Sequence, residues 1–332
     1  MSVQVSVIIP IYNSAALLSS LFHSLLAQSY DKAYWNLYLI DNHSQDDSLK
    51  QLIHFQQQAK AHNLTVQVLK ETAIQSSYAA RNRGICSATG TILAFTDADC
   101  RPHPHWLEQM VIPFSNPSVG IVAGEIAAVP GGNWIEAYAM RHAFLSQTHT
   151  LSHPFLPYGQ TANLAVRRSA IAQVGLFRPY ITTGGDADLC WRILQRGNWA
   201  IEVAPQAIVH HRHRSTLQGL AQQWQRYGAS NRYLHELYGV PLMPSLHWTA
   251  FVRGIGRWWL KTLPTAGIAR LRGQPMVSSL IDPMLDWYCR RSRWQGQQRA
   301  HLPLGDRLIP PYLPRRIDKT QSHPCFKSDD EV

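Results

Sequence analysis

Short apolar, β-branched runs alternate with stretches of helical periodicity along the first hundred residues. Nearly every position of a run is apolar, as in buried strands, whereas apolar residues recur every three or four positions in the stretches, as in helices. Strands are predicted at Val5–Tyr12, Leu37–Ile40, Thr65–Leu69 and Thr91–Thr96, and helices at Ser14–Gln28, Asp46–His62 and Ser76–Ala88. This order predicts an α/β fold: a doubly wound, mostly parallel sheet with helices on both faces.

The pattern becomes mixed after about residue 115. Strands are predicted at Val119–Ala128, Ala162–Val166, Ala200–Val203 and Ala207–His211, and helices at Asn133–Thr148, Arg168–Val174, Asp186–Arg196 and Ser215–Leu237. Two further helical stretches follow a proline boundary at residues 241–244, and prolines recur from residue 303. We therefore expect a first domain over residues 1–237, a helical, basic, amphipathic extension over 238–302, and a proline-rich, loose tail over 303–332.

Residues 246–263 of that extension would form a helix with two distinct faces. Apolar residues, three of them tryptophan, recur at helical spacing on one face, and three basic residues follow on the other. Such a helix can lie in a membrane interface or pack against the rest of the protein, and the pattern fits both arrangements equally. A second basic cluster, Arg290, Arg291 and Arg293, favours contact with an anionic membrane.

The net positive charge is confined to the last part of the chain. Residues 1–204 carry 13 Lys or Arg and 13 Asp or Glu, whereas residues 205–332 carry 18 and 8, which accounts for the whole net charge of +10. We expect anionic lipid as its partner rather than nucleic acid, because no nucleic-acid reading motif accompanies the arginines. The five cysteines are scattered, which is typical of a reducing compartment. With no leader peptide or long apolar run recognisable, we expect a cytoplasmic protein, with peripheral contact at the inner membrane face as the alternative.

Two carboxylates, Asp97 and Asp99, follow the strand predicted at Thr91–Thr96. Ligands bind open α/β sheets at the carboxyl ends of their strands. Closely spaced carboxylates can hold a hard divalent cation against phosphate oxygens. A turn with solvated Asp side chains is the alternative, and the neighbouring motifs weigh against it.

Four separated motifs support a functional interpretation of this strand end. They are Val5–Asn13, Leu39–Asp47, Ala79–Gly84 with Asp97–Asp99, and Gly184–Arg192. In this order the motifs resemble those of the family 2 glycosyltransferases, which have the GT-A fold, and the resemblance covers residues 3–235.

The resemblance implies a nucleotide site at the ends of the first strands. Asp41 would accept a hydrogen bond from the base, Arg81 would reach the nucleotide, and Asp97 would bond the ribose or the sugar. Pro10 and Tyr12, at the exit of the first strand, would line the same site. A capping turn at Asp41 and a solvated helical arginine are the structural alternatives.

The resemblance also implies a metal site and a general base. Asp99 would ligate Mg²⁺ or Mn²⁺ against the diphosphate, and His211 would complete the site, which suits Mn²⁺ better than Mg²⁺. Asp186 would take the proton from the attacking hydroxyl in an inverting transfer. Asp188 is a structural support in this interpretation. The alternatives are that Asp186 and Asp188 only complement the helix macrodipole and that His211 belongs to a basic, partly solvated turn. Asn163 would either bond a sugar hydroxyl or be a buried structural residue.

Two positions depart from the family pattern. Gly185 stands where relatives usually have Glu, and His43 stands where they often have Gly. Because of Gly185, the resemblance does not define which residues surround the proposed base Asp186. Because of His43, it does not define the conformation of the turn after the second predicted strand.

We therefore expect an inverting, metal-dependent transferase of a sugar from a nucleoside diphosphate sugar, with UDP as the default. The acceptor would be a hydroxyl of a glycan or lipid-linked molecule, in cell-surface polysaccharide or glycolipid synthesis. The main alternative is a non-catalytic, nucleotide-sugar-binding scaffold protein, motivated by Gly185. A nucleic-acid-binding protein ranks below both.

Overall fold

The computed structural model describes residues 3–129, 131–245, 256 and 276–313. In this part of the chain the strands β1 to β8 comprise, in order, Val5–Ile11, Trp35–Asp41, Thr65–Lys70, Ile92–Thr96, Cys100–Pro102, Val119–Ala128, Asn163–Arg167 and Ala200–His211. The helices α1 to α10 comprise Ala15–Leu26, Ser48–Ala61, Ser77–Ser87, Trp106–Val111, Trp134–Arg141, Thr148–Leu151, Arg168–Val174, Gly185–Arg196, Leu217–Tyr238 and Met276–Arg299. The amphipathic helix predicted over residues 246–263 lies outside the described residues, except for residue 256.

The eight strands form one sheet in the order β3-β2-β1-β4-β7-β6-β8-β5. The first four strands in this order, β3, β2, β1 and β4, are parallel to one another, as the alternation of strands and helices predicts. β7 is antiparallel to both β4 and β6, β5 is antiparallel to β8, and β6 and β8 are parallel. The prediction of an α/β fold with a mostly parallel sheet is therefore confirmed. The carboxyl ends of β1, β2 and β4 lie along one edge, where ligands bind in such sheets.

Helices cover the sheet through apolar stripes at helical spacing. In α1 the stripe is Leu18, Leu21 and Leu25, and in α2 it includes Leu52 and Phe55; all five side chains are buried. Every residue of β4 is buried as well. This burial is what the uninterrupted apolar runs predict for strands covered on both faces.

Two predicted elements differ from the observed ones. The helix predicted at Asn133–Thr148 ends at Arg141, because Ala143 adopts a left-handed conformation (φ 49°) and the Ala143 and Phe144 amides donate back into the last turn. The two strands predicted between residues 200 and 211 form one strand, β8. Its pairing with β6 shifts register between Gly124 and Glu125, close to the predicted break. The short elements β5 and α4 have no counterpart in the prediction.

The chain divides into two compact units. The first comprises the described residues within 1–129, 145–212 and 303–332, and the second those within 130–144 and 213–302. Part of the predicted proline-rich tail belongs to the first unit, where the Pro310 carbonyl accepts a hydrogen bond from the Leu176 amide at 2.9 Å. Among the described helices, none is both long and apolar enough to cross a membrane.

The second unit is built on close packing of α9 against α10. A Cβ atom added at Gly228 would lie 1.9 Å from the carbonyl oxygen of Arg293, and one added at Gly296 would lie 2.0 Å from that of Gln225. The two backbones therefore touch at a point where only glycine fits. Tyr138 of α5 donates to a carboxylate oxygen of Asp286 at 2.6 Å, which attaches α5 to the same pair of helices.

Candidate active site

Asp41 ends β2 and lies beside Ile11 at the end of β1. The Asp41 side chain is 3% exposed, and its Oδ1 atom has no hydrogen-bond partner among the described residues. Asn42 ties this strand end to the following loop, because its amide group donates to the carbonyls of Glu71 and Ile74 at 3.0 and 2.9 Å. A buried, unpaired carboxylate oxygen is costly, so its presence at a strand end indicates a place for a ligand donor.

The turn after β2 keeps the conformation that glycine would favour. His43 has a φ of 65°, in the left-handed region. Asn13 faces this turn from the end of β1: its amide donates to the Ser44 hydroxyl, and its side-chain oxygen accepts from the Gln45 amide at 2.8 Å. The departure at His43 therefore leaves the turn in place, because hydrogen bonds from the neighbouring strand hold it. Tyr12 is half-exposed, and Pro10 lies within β1.

Arg81 and Asp97 form an ion pair with an N–O distance of 2.5 Å. Arg81 extends from α3 and is almost fully buried, while about a third of the Asp97 side chain is exposed. The Nε atom of Arg81 is buried without a partner among the described residues. The guanidinium thus has a donor left for a ligand oxygen, which the solvated-arginine alternative does not explain.

Asp99 and His211 meet because β5 pairs with β8. The register places Cys100 opposite His211, and an Oδ1 atom of Asp99 lies 3.2 Å from the His211 Nε2 atom. Burial alone would lower the pKa of His211, but the hydrogen bond to Asp99 and the charges of Asp99 and Asp97 outweigh it and raise this pKa. These side chains fit the oxygen and nitrogen ligands of a divalent cation.

Cys100 is the third potential ligand, since one atom each of Asp99, Cys100 and His211 lies within 4.8 Å of the others. Its thiol is buried, and burial together with the charges of Asp99 and Asp97 raises its pKa well above the usual value. A protonated thiol is a poor ligand. Asp99 and His211 are the candidate ligands that remain.

Asp186 lies in the first turn of α8 and receives two hydrogen bonds from Thr161. The Thr161 hydroxyl donates to Oδ1 at 3.0 Å, and its amide lies 3.3 Å from Oδ2. Burial raises the pKa of Asp186, and Asp97 adds to this, while the charge of Arg81 and the Thr161 hydrogen bonds lower it. The carboxylate is therefore electrostatically coupled to the Arg81–Asp97 pair. A held carboxylate with a raised pKa is suited to accept a proton.

Asp188, one half-turn further along α8, has a structural environment. It is fully buried between Arg178 and Arg192, with N–O distances of 3.0 and 2.9 Å. Arg192 also donates to the carbonyls of Val174 and Leu176, both at 2.8 Å. The two aspartates of α8 therefore have different surroundings: Asp186 is bonded by Thr161, whereas Asp188 is paired with two buried arginines.

The structure brings Arg81, Asp97, Asp99, Asp186 and His211 together at the edge of the sheet where Asp41 also lies. Asn163, considered above as a sugar ligand, is fully buried and its amide binds Trp106 and the carbonyls of Glu125 and Ala207. Of its two alternatives the structural one is correct.

Thr161 was not identified from the sequence. It precedes β7 by two residues, and because β7 is antiparallel to β4, Asn163 pairs with Thr96 beside the end of β4. The start of an antiparallel strand therefore reaches the same edge as the ends of the parallel strands. In the sequence, Thr161 immediately precedes the strand predicted at Ala162–Val166, and Asn163 was the residue considered there.

Two family models match the chain. The model of glycosyl transferase family 2 matches residues 6–175, and that of glycosyl transferase family group 2 matches residues 92–289. A glycosyltransferase of Haloferax volcanii, AglE, is 35% identical over 195 residues, which cover 58% of this chain and 62% of the relative. The pre-mycofactocin glycosyltransferase of Mycobacterium tuberculosis is 34% identical over 170 residues, covering 50% of this chain and 36% of the relative. The chain thus spans less than two thirds of the length of these relatives.

Solved structures share the fold at low sequence identity. The mannosyltransferase PcManGT of Pyrobaculum calidifontis, in complex with GDP-Man and Mn²⁺, has a TM-score of 0.61 at 17% identity and covers 88% of this chain and 87% of its own. Residues 1–349 of TarS from S. aureus, in complex with UDP-GlcNAc, have a TM-score of 0.51 at 15% identity, covering 89% of both chains. These neighbours have the GT-A fold, which establishes the fold of this chain.

Proposed function

We propose that this chain, which belongs to glycosyl transferase family 2, transfers a sugar from a nucleoside diphosphate sugar to an acceptor hydroxyl with inversion. The observation that carries the proposal is the pair of unsatisfied buried atoms at the sheet edge. Asp41 offers an acceptor without a donor, and Arg81 offers a donor without an acceptor, among the described residues. A nucleotide supplies both partners: an imide N–H for the carboxylate and an oxygen for the guanidinium.

The reaction we propose is a single in-line displacement. The acceptor hydroxyl attacks the anomeric carbon, the bond from that carbon to the diphosphate oxygen breaks, and the hydroxyl proton passes to the Asp186 carboxylate. Thr161 holds that carboxylate in place. Arg81 and Asp97 bind and orient the donor, with Pro10 and Tyr12 beside them.

Asp99 and His211 would hold a divalent cation, Mn²⁺ or Mg²⁺. Such an ion, when bound, supplies positive charge that stabilises the departing diphosphate. The complex of the mannosyltransferase with Mn²⁺ supports this proposal by similarity of fold.

A screen of nucleoside diphosphate sugars tests the proposal. We expect the sugars of one nucleoside diphosphate, UDP by default, to raise the melting temperature only when Mn²⁺ is present. A ligand at 100 times its Kd stabilises the native state by about 2.7 kcal/mol, which is enough to measure. The same sugar should yield free nucleoside diphosphate when an acceptor is added. The variant D41N should lose this stabilisation, because an amide cannot replace both carboxylate oxygens as acceptors. Absence of any stabilising nucleotide would contradict the proposal, and binding without turnover over a broad acceptor panel would favour the scaffold protein.

We propose a glycan or lipid-linked acceptor, in synthesis of a cell-surface polysaccharide or glycolipid, and peripheral contact of a cytoplasmic protein with anionic membrane. Support comes from α10, where Arg290 and Arg291 are exposed and the guanidinium of Arg291 lies 5.4 Å from the ring centre of Trp287. Exposed arginines are attracted to anionic lipid headgroups, and tryptophan is enriched at membrane interfaces.

Flotation with lipid vesicles tests the membrane contact. We expect the protein to float with vesicles that contain phosphatidylserine and not with purely zwitterionic ones, and 0.5 M NaCl should release it because salt screens surface charge. R290E/R291E should abolish flotation. K50E/K60E, which changes two basic residues of α2 in the first unit, is the matched control and should float as before. Equal flotation of R290E/R291E and the unaltered protein would contradict the proposal.

A further inference from the structure

Tyr78 connects α3 to the first residue of α8. It is the second residue of α3, it is 5% exposed, and its hydroxyl accepts a hydrogen bond from the Gly185 amide at 3.0 Å. Gly185 immediately precedes Asp186. The hydroxyl of Tyr78 thus fixes the backbone from which the Asp186 side chain extends.

The ring of Tyr78 occupies the space that a side chain at position 185 would need. A Cβ atom added to Gly185 would lie 2.7 to 2.9 Å from three atoms of this ring. Gly184 has a positive φ of 79°, whereas Gly185 is not among the residues with positive φ. The restriction at Gly185 is therefore one of space, not of backbone conformation, and Tyr78 imposes it.

The same ring also packs against the donor side of the site. The guanidinium carbon of Arg81, one turn further along α3, lies 5.5 Å from the ring centre of Tyr78. On α3 the two residues are three positions apart and share a face. One tyrosine thus contacts the arginine that pairs with Asp97 and the backbone that carries Asp186.

Two other residues of this region fix α3 to the loop that leads into α8. The Asn82 side chain exchanges two hydrogen bonds with the backbone of Phe177, at 2.8 and 3.0 Å. The Ser76 hydroxyl donates to the Ile181 carbonyl at 3.2 Å. Phe177 stacks on Tyr78 with ring centres 5.3 Å apart. These hydrogen bonds fix the loop before α8 relative to α3, so the Gly185 amide that bonds the Tyr78 hydroxyl has a defined position.

We propose that Tyr78 is a positioning residue that sets the distance between the base Asp186 and the donor-binding pair Arg81–Asp97. The inference rests on the proposed transferase function and deepens it. Gly185, where the family resemblance leads one to expect Glu, is then the matched partner of Tyr78. The Tyr78 ring fills the space that a side chain at position 185 would need, and the Tyr78 hydroxyl accepts the hydrogen bond from the backbone amide there.

The test compares Y78F with Y30F. Y78F keeps the ring and removes the hydroxyl, so we expect kcat to fall about tenfold with KM for the donor unchanged, because a small misplacement of the base slows the reaction without weakening ground-state binding. Tyr30 binds the backbone of Val3 through its hydroxyl, at the amino end of β1 and away from the site. Y30F removes hydrogen bonds of the same kind and should retain kcat. An unchanged kcat in Y78F would overturn the proposal, as would equal losses in both variants.

A second measurement does not depend on activity. G185A should lower the melting temperature by about 5 °C, because the added methyl group meets the ring. In a Y78A background the same change should no longer lower it. An equal effect of G185A in both backgrounds would overturn the pairing. If Y78F retains full activity while D186N is inactive, the positioning role is wrong and the transferase function stands; if no donor binds or reacts, the function fails while the melting data still test the pairing.

Discussion

We expect the replacement of Asp186 with Asn to lower the rate of the proposed sugar transfer about 1000-fold and to leave donor binding intact. General base catalysis contributes about 10²- to 10⁴-fold, and an amide of the same shape cannot take the proton. The Thr161 hydroxyl can still donate to the amide oxygen, whereas the Thr161 amide loses the second carboxylate oxygen as its acceptor. Steady-state kinetics give the rate, and calorimetric titration with the nucleoside diphosphate gives the binding. A variant with more than a tenth of the original kcat would contradict the role of Asp186.

The pH dependence of the same reaction provides the companion test. Asp186 would act as a base only when it is deprotonated, and burial raises its pKa. We therefore expect kcat to fall as the pH drops through this raised pKa. T161V removes the hydroxyl that stabilises the charged form, so the fall should move to higher pH. T161S, which keeps a hydroxyl, should keep the original profile; an unshifted profile in T161V would contradict the assignment.

We expect the replacement of Asp188 with Ala to destabilise the protein by about 3–5 kcal/mol, the range found when one partner of a buried ion pair is removed. The change leaves Arg178 and Arg192 buried side by side without their shared carboxylate. Such a loss is a large part of the 5–15 kcal/mol typical of native proteins. Urea unfolding measures it through the midpoint at constant slope.

D186N is the matched control for D188A, since both positions lie on the first turns of α8. Asp186 carries a carboxylate whose burial is unfavourable, so D186N should change the free energy of unfolding by less than 1 kcal/mol. We therefore expect D186N to lose activity and keep its stability, and D188A to lose stability. A loss below 1 kcal/mol in D188A would show that Asp188 does not hold α8 to the loop around Arg178.

The sequence predicted the first half of the fold because local pattern and tertiary arrangement agree there. Parallel strands covered on both faces are uniformly apolar, and their ends at Asp41 and Asp97 could be read directly. The antiparallel insertion of β7 is decided by pairing with β4 and β6, which no local pattern records. Thr161 was missed for this reason, and Tyr78 was missed because a tyrosine near Arg81 also fits an ordinary buried helix face.

The direction of β7 also separates two parts of the site along the chain. The elements proposed to bind the donor come from residues before 100, whereas Thr161 approaches the same edge from a segment that precedes its strand. Changes in the residues just before β7 are therefore expected to alter the surroundings of Asp186 while leaving the strand order and the ends of β1, β2 and β4 in place. Under the proposed function, altering this one connection is expected to change which acceptor is used, because the strand ends proposed to bind the donor belong to other segments.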